Sequence, residues 1–492
     1  MFYCFNTTTL YRRYPDFGYI TDSNDFSYRM VNDNRVFYGE TYVSNTAAAM
    51  LDVLTKEPQD IDDIISKLLN IFEGVDSDTL KQDVIQFYDQ LIAKGYLIKI
   101  DSSSSSSSSC ISESYTTLNM PDNISEQAGD TDINNISQLD FLRSIHVEVT
   151  DACNERCVHC YIPHDCKKSV MDPQLFERII KEGRDLNAVH ITISGGEPLL
   201  HKNIKDFLVI CRKNDMAVNL LSNLTHLNDE LLTEMKLNPL LGVQTSIYSM
   251  DPKIHDGITK LSGSLDMTLK AIDKLLAAGI VVQISCPVMK QNFSHFNDVM
   301  TWAAKLNMPI AVNPVLFASY DKNHSEILSN RLNYNEISQV LDAMMNESYA
   351  KQLQEEAVDK LKALGEDPVC SVLRYSFCVA ANGKVFPCIG WQSHVIGDLT
   401  ESSMKEIWSN SPEANRLRSI RKNSFPNCLS CEDRGYCTLC IMQNENESNQ
   451  DSLLHINSTN CQLSALKRKK SLNMIYEKQN NGLATEIYYK NI

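Results

Sequence analysis

Cys153, Cys157 and Cys160 lie within eleven residues of one another, in the run Asp151-Ala-Cys-Asn-Glu-Arg-Cys-Val-His-Cys-Tyr161. A cubic four-iron, four-sulfur cluster normally takes four thiolates. The spacing CxxxCxxC supplies three, which leaves one iron open to a small molecule. Eight further cysteines crowd the C-terminal part: Cys370, Cys378, Cys388, Cys428, Cys431, Cys437, Cys440 and Cys461. Eight thiols suffice for two fully ligated clusters. Zinc is the alternative for both sets. It takes four ligands, usually in pairs, so it suits the first set poorly and would leave thiols to spare in the second. Five cysteines remain of the 16. Cys211 and Cys286 read as buried apolar residues. Cys4, Cys110 and Cys166 suggest no role. His159 and His164 flank the first triad and read as packing or surface residues rather than ligands. Acidic residues at strand ends are candidates for a general base, and nothing in the sequence selects one of them.

The elements that must hold these residues follow from periodicity. A strand-like run, Ser144–Thr150, leads into the first cysteine loop. A second, Val189–Ile193, ends in Ser194-Gly-Gly-Glu-Pro198. Helical patterns near 173–184, 204–213, 229–235, 266–278 and 296–306 alternate with strand patterns at 217–221, 243–248, 280–286 and 309–313. Strand–helix repeats imply parallel strands with right-handed crossovers. The fold class is therefore α/β, with a partial (β/α)6 barrel over residues 139–320. A helical bridge is expected at 321–369, a cysteine-rich region at 370–465 and a C-terminal tail from 466 to 492. Near Cys378, Asn382-Gly383 signals a hairpin turn that would bring Cys378 and Cys388 together. Functional sites of parallel α/β folds gather at the carboxyl ends of strands. Gly195, Gly196, Glu197 and Pro198 sit at one such end, Ser222 and Asn223 at the next, and Ser246 at a third.

Upstream, eight consecutive serines, Ser102–Ser109, open a polar stretch to residue 138 that reads as a flexible linker. Before it lies a small α+β domain, residues 1–101. Arg35–Tyr38 and Glu40–Val43 read as strands around Gly39. Helical stripes follow at Asn45–Thr55, Ile61–Phe72 and Ser77–Lys94, and Tyr96–Ile100 reads as a closing strand. The order suggests a winged helix. A DNA reader carries a basic face, whereas residues 1–101 hold nine basic and 16 acidic side chains.

The whole chain carries a formal charge of −16, which argues against nucleic acid or an anionic membrane as partner. No apolar run is long enough to span a bilayer. The start, Met1–Asn6, lacks the pattern of an export signal, so a cytoplasmic location with reduced thiols is expected. Clustered cysteines then read as metal ligands rather than disulfides.

The cysteine triad together with the Gly-Gly-Glu-Pro strand resembles the radical S-adenosylmethionine (SAM) enzymes. That resemblance implies a [4Fe-4S] cluster on Cys153, Cys157 and Cys160 whose open iron is chelated by SAM, so that these three are the catalytic residues. One electron would cleave SAM to a 5′-deoxyadenosyl radical that abstracts hydrogen from an unactivated carbon. Gly195, Gly196, Glu197 and Pro198 would bind the amino end of the cofactor, Tyr161 its adenine, and Ser222, Asn223 and Ser246 other polar parts. Tyr248 stands where many relatives have an acidic residue. The C-terminal cysteines resemble the SPASM extension of radical SAM peptide and protein maturases, with CxxC at Cys437 and Cys440 in place of the common CxxxC. By that analogy Cys370, Cys378, Cys388 and Cys440 hold one auxiliary [4Fe-4S] cluster, and Cys428, Cys431, Cys437 and Cys461 another. Residues 1–100 resemble the PqqD-like domain that binds the leader of a precursor peptide by adding it as a strand. Over nearly its whole length the chain thus resembles maturases of ribosomally made peptides, such as the sactipeptide and ranthipeptide thioether synthases. The expected reaction is thioether crosslinking, with flavodoxin or ferredoxin as electron donor. Other radical crosslinks, epimerisation, and maturation of a sulfatase or quinoprotein are the alternative enzyme readings. A winged-helix iron–sulfur regulator is the non-enzymatic one.

Overall fold

The computed structural model describes residues 1–22, 30–31, 39–100, 141–162, 169–319, 325–448 and 452–481. They form two compact units, one within residues 1–100 and one that takes in residues 30–31 and everything from 141 onward.

In the first unit, β1 (Phe2–Phe5) pairs antiparallel with β5 (Gln59–Asp60) and with β6 (Leu97–Ile100). A second antiparallel sheet has the order β2 (Leu10–Arg13), β3 (Gly18–Thr21), β4 (Glu40–Val43). Three helices follow: α1 (Asn45–Asp52), α2 (Ile61–Leu69) and α3 (Ser77–Ala93). Ser44, Asp60 and Asp76 cap them by accepting first-turn backbone N–H groups. Each helix stops one to three residues before its apolar stripe runs out. The core holds Tyr3, Leu51, Ile64, Leu68, Val84 and Tyr88, all without solvent exposure. The Tyr88 hydroxyl donates to the Met50 carbonyl at 2.6 Å. Strands β1 to β3 escaped the sequence reading, two of them for a physical reason. β1 and β3 are buried almost throughout, so they show no period-two alternation. The strand expected at 35–38 and the linker expected at 102–138 lie outside the described residues.

In the second unit, six parallel strands form the partial barrel: β7 (Ser144–Thr150), β8 (His190–Gly195), β9 (Ala217–Leu221), β10 (Leu241–Ser246), β11 (Val281–Pro287) and β12 (Ile310–Asn313). Helices Pro173–Asp185, Ile204–Lys213, Asp229–Lys236, Ser264–Ala277 and Phe296–Lys305 connect them, near the expected positions. An additional helix, Pro252–Thr259, was not anticipated. Eight residues carry too little periodicity to stand out. Alternate strand residues such as Ile145, Val147, Val149, Ile191, Ile193, Val218 and Leu220 share a core with Phe176, Ile180, Phe207 and Leu208 of the helices. The intervening residues point to the opposite face. On β7 and β8 these are Ser144, His146, Glu148, Thr150, His190, Thr192 and Ser194, so the inner face of the barrel is polar.

The sheet does not end at β7. β13 (Ser376–Val379) pairs parallel with it, with Cys378 opposite His146. β14 (Lys384–Phe386) and β15 (Gly397–Asp398) continue antiparallel. The order is β12-β11-β10-β9-β8-β7-β13-β14-β15. The cysteine-rich segment, expected to begin where strand alternation stops, is thus built onto the barrel sheet. Its hairpin forms as expected, with Gly383 at φ +86° and the Asn382 side chain accepting from Lys384 N at 3.1 Å, although the connection takes residues 380–383. The bridge supplies helices Tyr334–Met344 and Glu347–Leu361. The expected tail from 466 instead begins inside a helix, Ser458–Asn481, which buries Leu466.

The ends of β7 and β8 are drawn tightly together. Gly196 N donates to Thr150 O at 2.6 Å and Glu197 N to Ala152 O at 2.8 Å. A Cβ on Gly196 would lie 2.3 Å from Ala152 O and 2.5 Å from Asp151 O, and one on Gly195 (φ +135°) 2.1 Å from Thr150 O. The glycines are required by this backbone contact. Gly196→Ala is expected to lower stability by about 1–3 kcal/mol, read as a fall in Tm, and to reduce iron uptake by the displaced cysteine loop. Parent-like values for both would show that the contact is dispensable.

Candidate active site

The first cysteine loop is fixed from three sides. Arg156 N and Val158 N donate to the carbonyls of Thr259 (2.9 Å) and Ile258 (3.1 Å), which are C-terminal carbonyls that helix Pro252–Thr259 leaves without intrahelical partners. Asn154 Nδ2 donates to Thr225 Oγ1 at 2.8 Å, and its Oδ1 accepts from Asn223 Nδ2 at 3.0 Å. Glu155 N donates to Cys153 Sγ at 3.4 Å. Burial, Glu155 and the other two thiols together hold the Cys157 thiol well above its ordinary pKa.

Glu197 joins the ends of β8 and β9. Its Oε1 accepts from Ser222 Oγ (2.7 Å) and Leu199 N (2.9 Å), and its Oε2 from Asn223 N (2.7 Å). The carboxylate is 1% exposed, and burial pushes its pKa up to about 7. The charge match expected between Glu197 and a cofactor amine therefore meets a carboxylate that already accepts three protein hydrogen bonds. Pro198 opens a short 3-10 turn directly after it. Ser222 and Asn223 are thus part of this network. Ser246 ends β10 beside Ser285 of β11. Tyr161 lies at the far end of the cysteine loop, and its hydroxyl donates to Glu148 Oε1 at 3.2 Å.

The C-terminal thiols fall into two neighbourhoods. Cys440 is pushed up to about 11 by burial, with Cys388 and Cys370 adding to the shift. Cys378 is raised by burial, Glu148 and Cys388. Cys428 is raised by burial and by Cys437, Cys461 and Cys431, and Cys461 by burial, Cys437 and Cys431. Cys370, Cys378, Cys388 and Cys440 thus form one set, and Cys428, Cys431, Cys437 and Cys461 the other. Helix Ser458–Asn481 brings Cys461 to its set. Among the described residues no three His, Cys, Asp or Glu side chains form a site for a single metal ion. Thiols gathered this closely resist joint ionisation until cations neutralise the thiolates, and an all-sulfur donor set suits iron–sulfur clusters. Cys211 and Cys286 are fully buried in the barrel core, and Cys4 is buried on β1. Cys110, Cys166 and His164 lie outside the described residues.

Residues 147–303 match the Radical SAM superfamily, residues 370–432 the SPASM iron-sulfur cluster-binding domain, and residues 36–97 coenzyme PQQ synthesis protein D. This chain is an enzyme that carries a radical SAM domain. Its SPASM and PqqD-like parts match the resemblance to peptide maturases read from the sequence. AdoMet-dependent heme synthase of Methanosarcina barkeri is 23% identical over 326 residues, 62% of this chain and 93% of the relative. The antilisterial bacteriocin subtilosin biosynthesis protein AlbA of Bacillus subtilis is 23% identical over 359 residues, 68% of this chain and 76% of that protein. The crystal structure of Streptococcus suis SuiB bound to precursor peptide SuiA superposes with a TM-score of 0.61 at 14% identity, covering 94% of this chain and all of that one. At that identity it shows a common fold.

Two features of this site, Glu155 and Glu148, were missed in the sequence. Glu155, inside the cysteine motif, is 5% exposed and accepts from Cys157 Sγ at 3.2 Å. Glu148, on the inner face of β7, is 1% exposed and is pushed up to about 8 by burial. It accepts from Tyr161 on one side and from Gln392 Nε2 (2.8 Å) on the other, and so links the loop after Cys160 to the loop after Cys388. The alternation Ser-Ile-His-Val-Glu-Val-Thr was a usable signal for its inward direction. Tyr248, in place of the common acidic residue, is buried and shares a hydrogen bond with His159 Nε2 at 2.9 Å.

His394 lies between two carboxylates of the SPASM region, with Nδ1 2.6 Å from Glu413 Oε1 and Nε2 2.9 Å from Glu445. Arg416 also holds Glu413, and Trp391 and Ser393 donate to Glu445. The hydrogen bond with Glu445 is the main cause that raises the His394 pKa. A pKa raised by folding adds stability below the unfolded value, and this gain is lost as pH rises through the folded value. The Tm of the iron-free protein is expected to fall as pH rises above about 6.5, with a flatter profile for His394→Gln. Identical slopes in a thermal-shift series would remove the imidazolium from this account.

Proposed function

We propose that this chain is a maturase that installs thioether crosslinks in a ribosomally made precursor peptide. Cys153, Cys157 and Cys160 would hold the [4Fe-4S] cluster at which SAM, once bound and reduced, supplies the hydrogen-abstracting radical. The two further thiol sets would hold two auxiliary [4Fe-4S] clusters, for three in all, and one of these would take up the electron released when sulfur bonds to carbon. The observation that carries this reading is the continuity of β13 with β7. It sets an auxiliary thiol, Cys378, on the strand beside the one that feeds the SAM-side cysteine loop.

The chain's own residues have separate tasks in this scheme. Glu197, Ser222, Asn223 and Asn154 lock the cysteine loop to two strand ends. Tyr161, Gly195, Gly196, Pro198 and Ser246 line the side on which SAM would bind. The polar inner face of the barrel offers hydrogen-bonding groups to a peptide backbone. The PqqD-like unit has an antiparallel sheet in which β4 pairs only with β3 among the described residues, an edge suited to a leader added as a strand. Tethering by the leader then raises the concentration of the core peptide at the barrel. AlbA serves subtilosin biosynthesis by its name, and SuiB was crystallised with a precursor peptide. Both support a peptide substrate here. Flavodoxin or ferredoxin would deliver the electron.

The test is anaerobic reconstitution with iron, sulfide, reductant and SAM, together with coexpression of a cysteine-containing peptide encoded beside the gene. Expected are 5′-deoxyadenosine from the parent, none from Cys157→Ala, and a peptide lighter by two hydrogen atoms per thioether. SAM cleavage by Cys157→Ala at the parent's rate would overturn the radical SAM assignment of these cysteines. SAM cleavage with a peptide of unchanged mass would overturn the crosslink and leave epimerisation.

A further inference from the structure

Helix Ile441–Asn446 follows Cys440 directly and is buried along its whole length. Most of its polar side chains are satisfied. Gln443 Oε1 accepts from Asn460 at 2.9 Å, Glu445 is held by Trp391, Ser393 and His394, and Asn446 Nδ2 donates to Gly390 O at 3.1 Å. Asn444 is the one side chain here with neither polar atom satisfied. It has no solvent exposure, and neither Nδ2 nor Oδ1 meets a hydrogen-bond partner among the described residues. A buried polar group without a partner costs about 1–3 kcal/mol. Leucine would fill a similar volume without that penalty, so an asparagine here implies a partner that is not part of the polypeptide.

The position of Asn444 narrows the choice of partner. It lies four residues after Cys440, and its N–H bonds the Cys440 carbonyl at 3.0 Å. Cys440 is the N-cap of this helix, so that bond sets Asn444 one helical turn above it. Gln443 and Glu445 are turned to other neighbours. The thiols around Cys440 are Cys388 and Cys370. Sulfide and thiolate sulfurs are acceptors, and an amide NH2 brings two donors. Asn446 Oδ1 also lacks a partner, but as an acceptor it gains nothing from sulfur.

We propose that the Asn444 amide donates to a sulfur of the auxiliary cluster held by Cys370, Cys378, Cys388 and Cys440, and raises its reduction potential. The inference rests on the auxiliary-cluster reading above. Hydrogen bonds to cluster sulfurs favour the more negative, reduced state. Asn444 therefore makes this cluster a readier electron acceptor.

Full-length parent, Asn444→Leu, Asn444→Gln and Cys440→Ala proteins are reconstituted anaerobically, their iron and sulfide counted, and their clusters titrated redox-wise with detection by electron paramagnetic resonance. The signal lost in Cys440→Ala identifies the cluster. In Asn444→Leu its midpoint potential is expected to move to a more negative value at parent-like iron content, and Asn444→Gln, which keeps the donors, is expected to retain part of the parent value. The iron-free Asn444→Leu protein is expected to melt above the iron-free parent, because the unpaired amide is gone. An unchanged midpoint in Asn444→Leu with full iron content overturns the inference while the auxiliary cluster stands. A parent with no signal that depends on Cys440 overturns the cluster reading, and this inference with it.

Discussion

The parallel pairing of β13 with β7 is the contact on which the architecture of the large unit depends. β7 has β8 on one side and β13 on the other, so it is a central strand. Its carboxyl end delivers the first cysteine triad, β8 delivers the Gly-Gly-Glu-Pro turn, and β13 with its hairpin delivers Cys378 and Cys388. Three stretches separated by up to more than two hundred residues thus converge through backbone hydrogen bonds alone. Side chains then refine the junction. Glu148, from the inner face of β7, is held by Tyr161 from the cysteine loop and by Gln392 from the hairpin side.

Electrostatics at the first triad follows from the same packing. Glu155 accepts from Cys157, Glu148 and Glu197 are buried at the ends of the strands that flank the loop, and burial raises Glu148 to about 8 and Glu197 to about 7. A site that gathers carboxylates and thiols away from water is poor in charge compensation within the polypeptide. Metal cations supply that compensation, which couples completion of the site to loading.

The sequence displayed the repetitive part of this fold well. Strands and helices of the barrel alternate with clean periodicity, and the cysteine spacing stands apart from any periodic pattern. Ile204–Lys213 and Ala217–Leu221 fall where the pattern put them. What stayed hidden has no local signature. Strands β1 and β3 are buried almost throughout, helix Pro252–Thr259 is short, and a parallel strand pair between residues 144–147 and 376–379 leaves no trace in either segment. The neighbourhood of Cys440 with Cys388 came from resemblance rather than from spacing. The unpaired amide of Asn444 looks, in sequence, like one more polar residue in Gln-Asn-Glu-Asn.

The seam between β13 and β7 has a further effect. A chain shortened before residue 376 would leave the rim of the sheet bare, with a row of backbone donors and acceptors unmatched along β7. Such a border invites strands from other molecules. The C-terminal cysteine region therefore also covers an edge that would otherwise favour self-association.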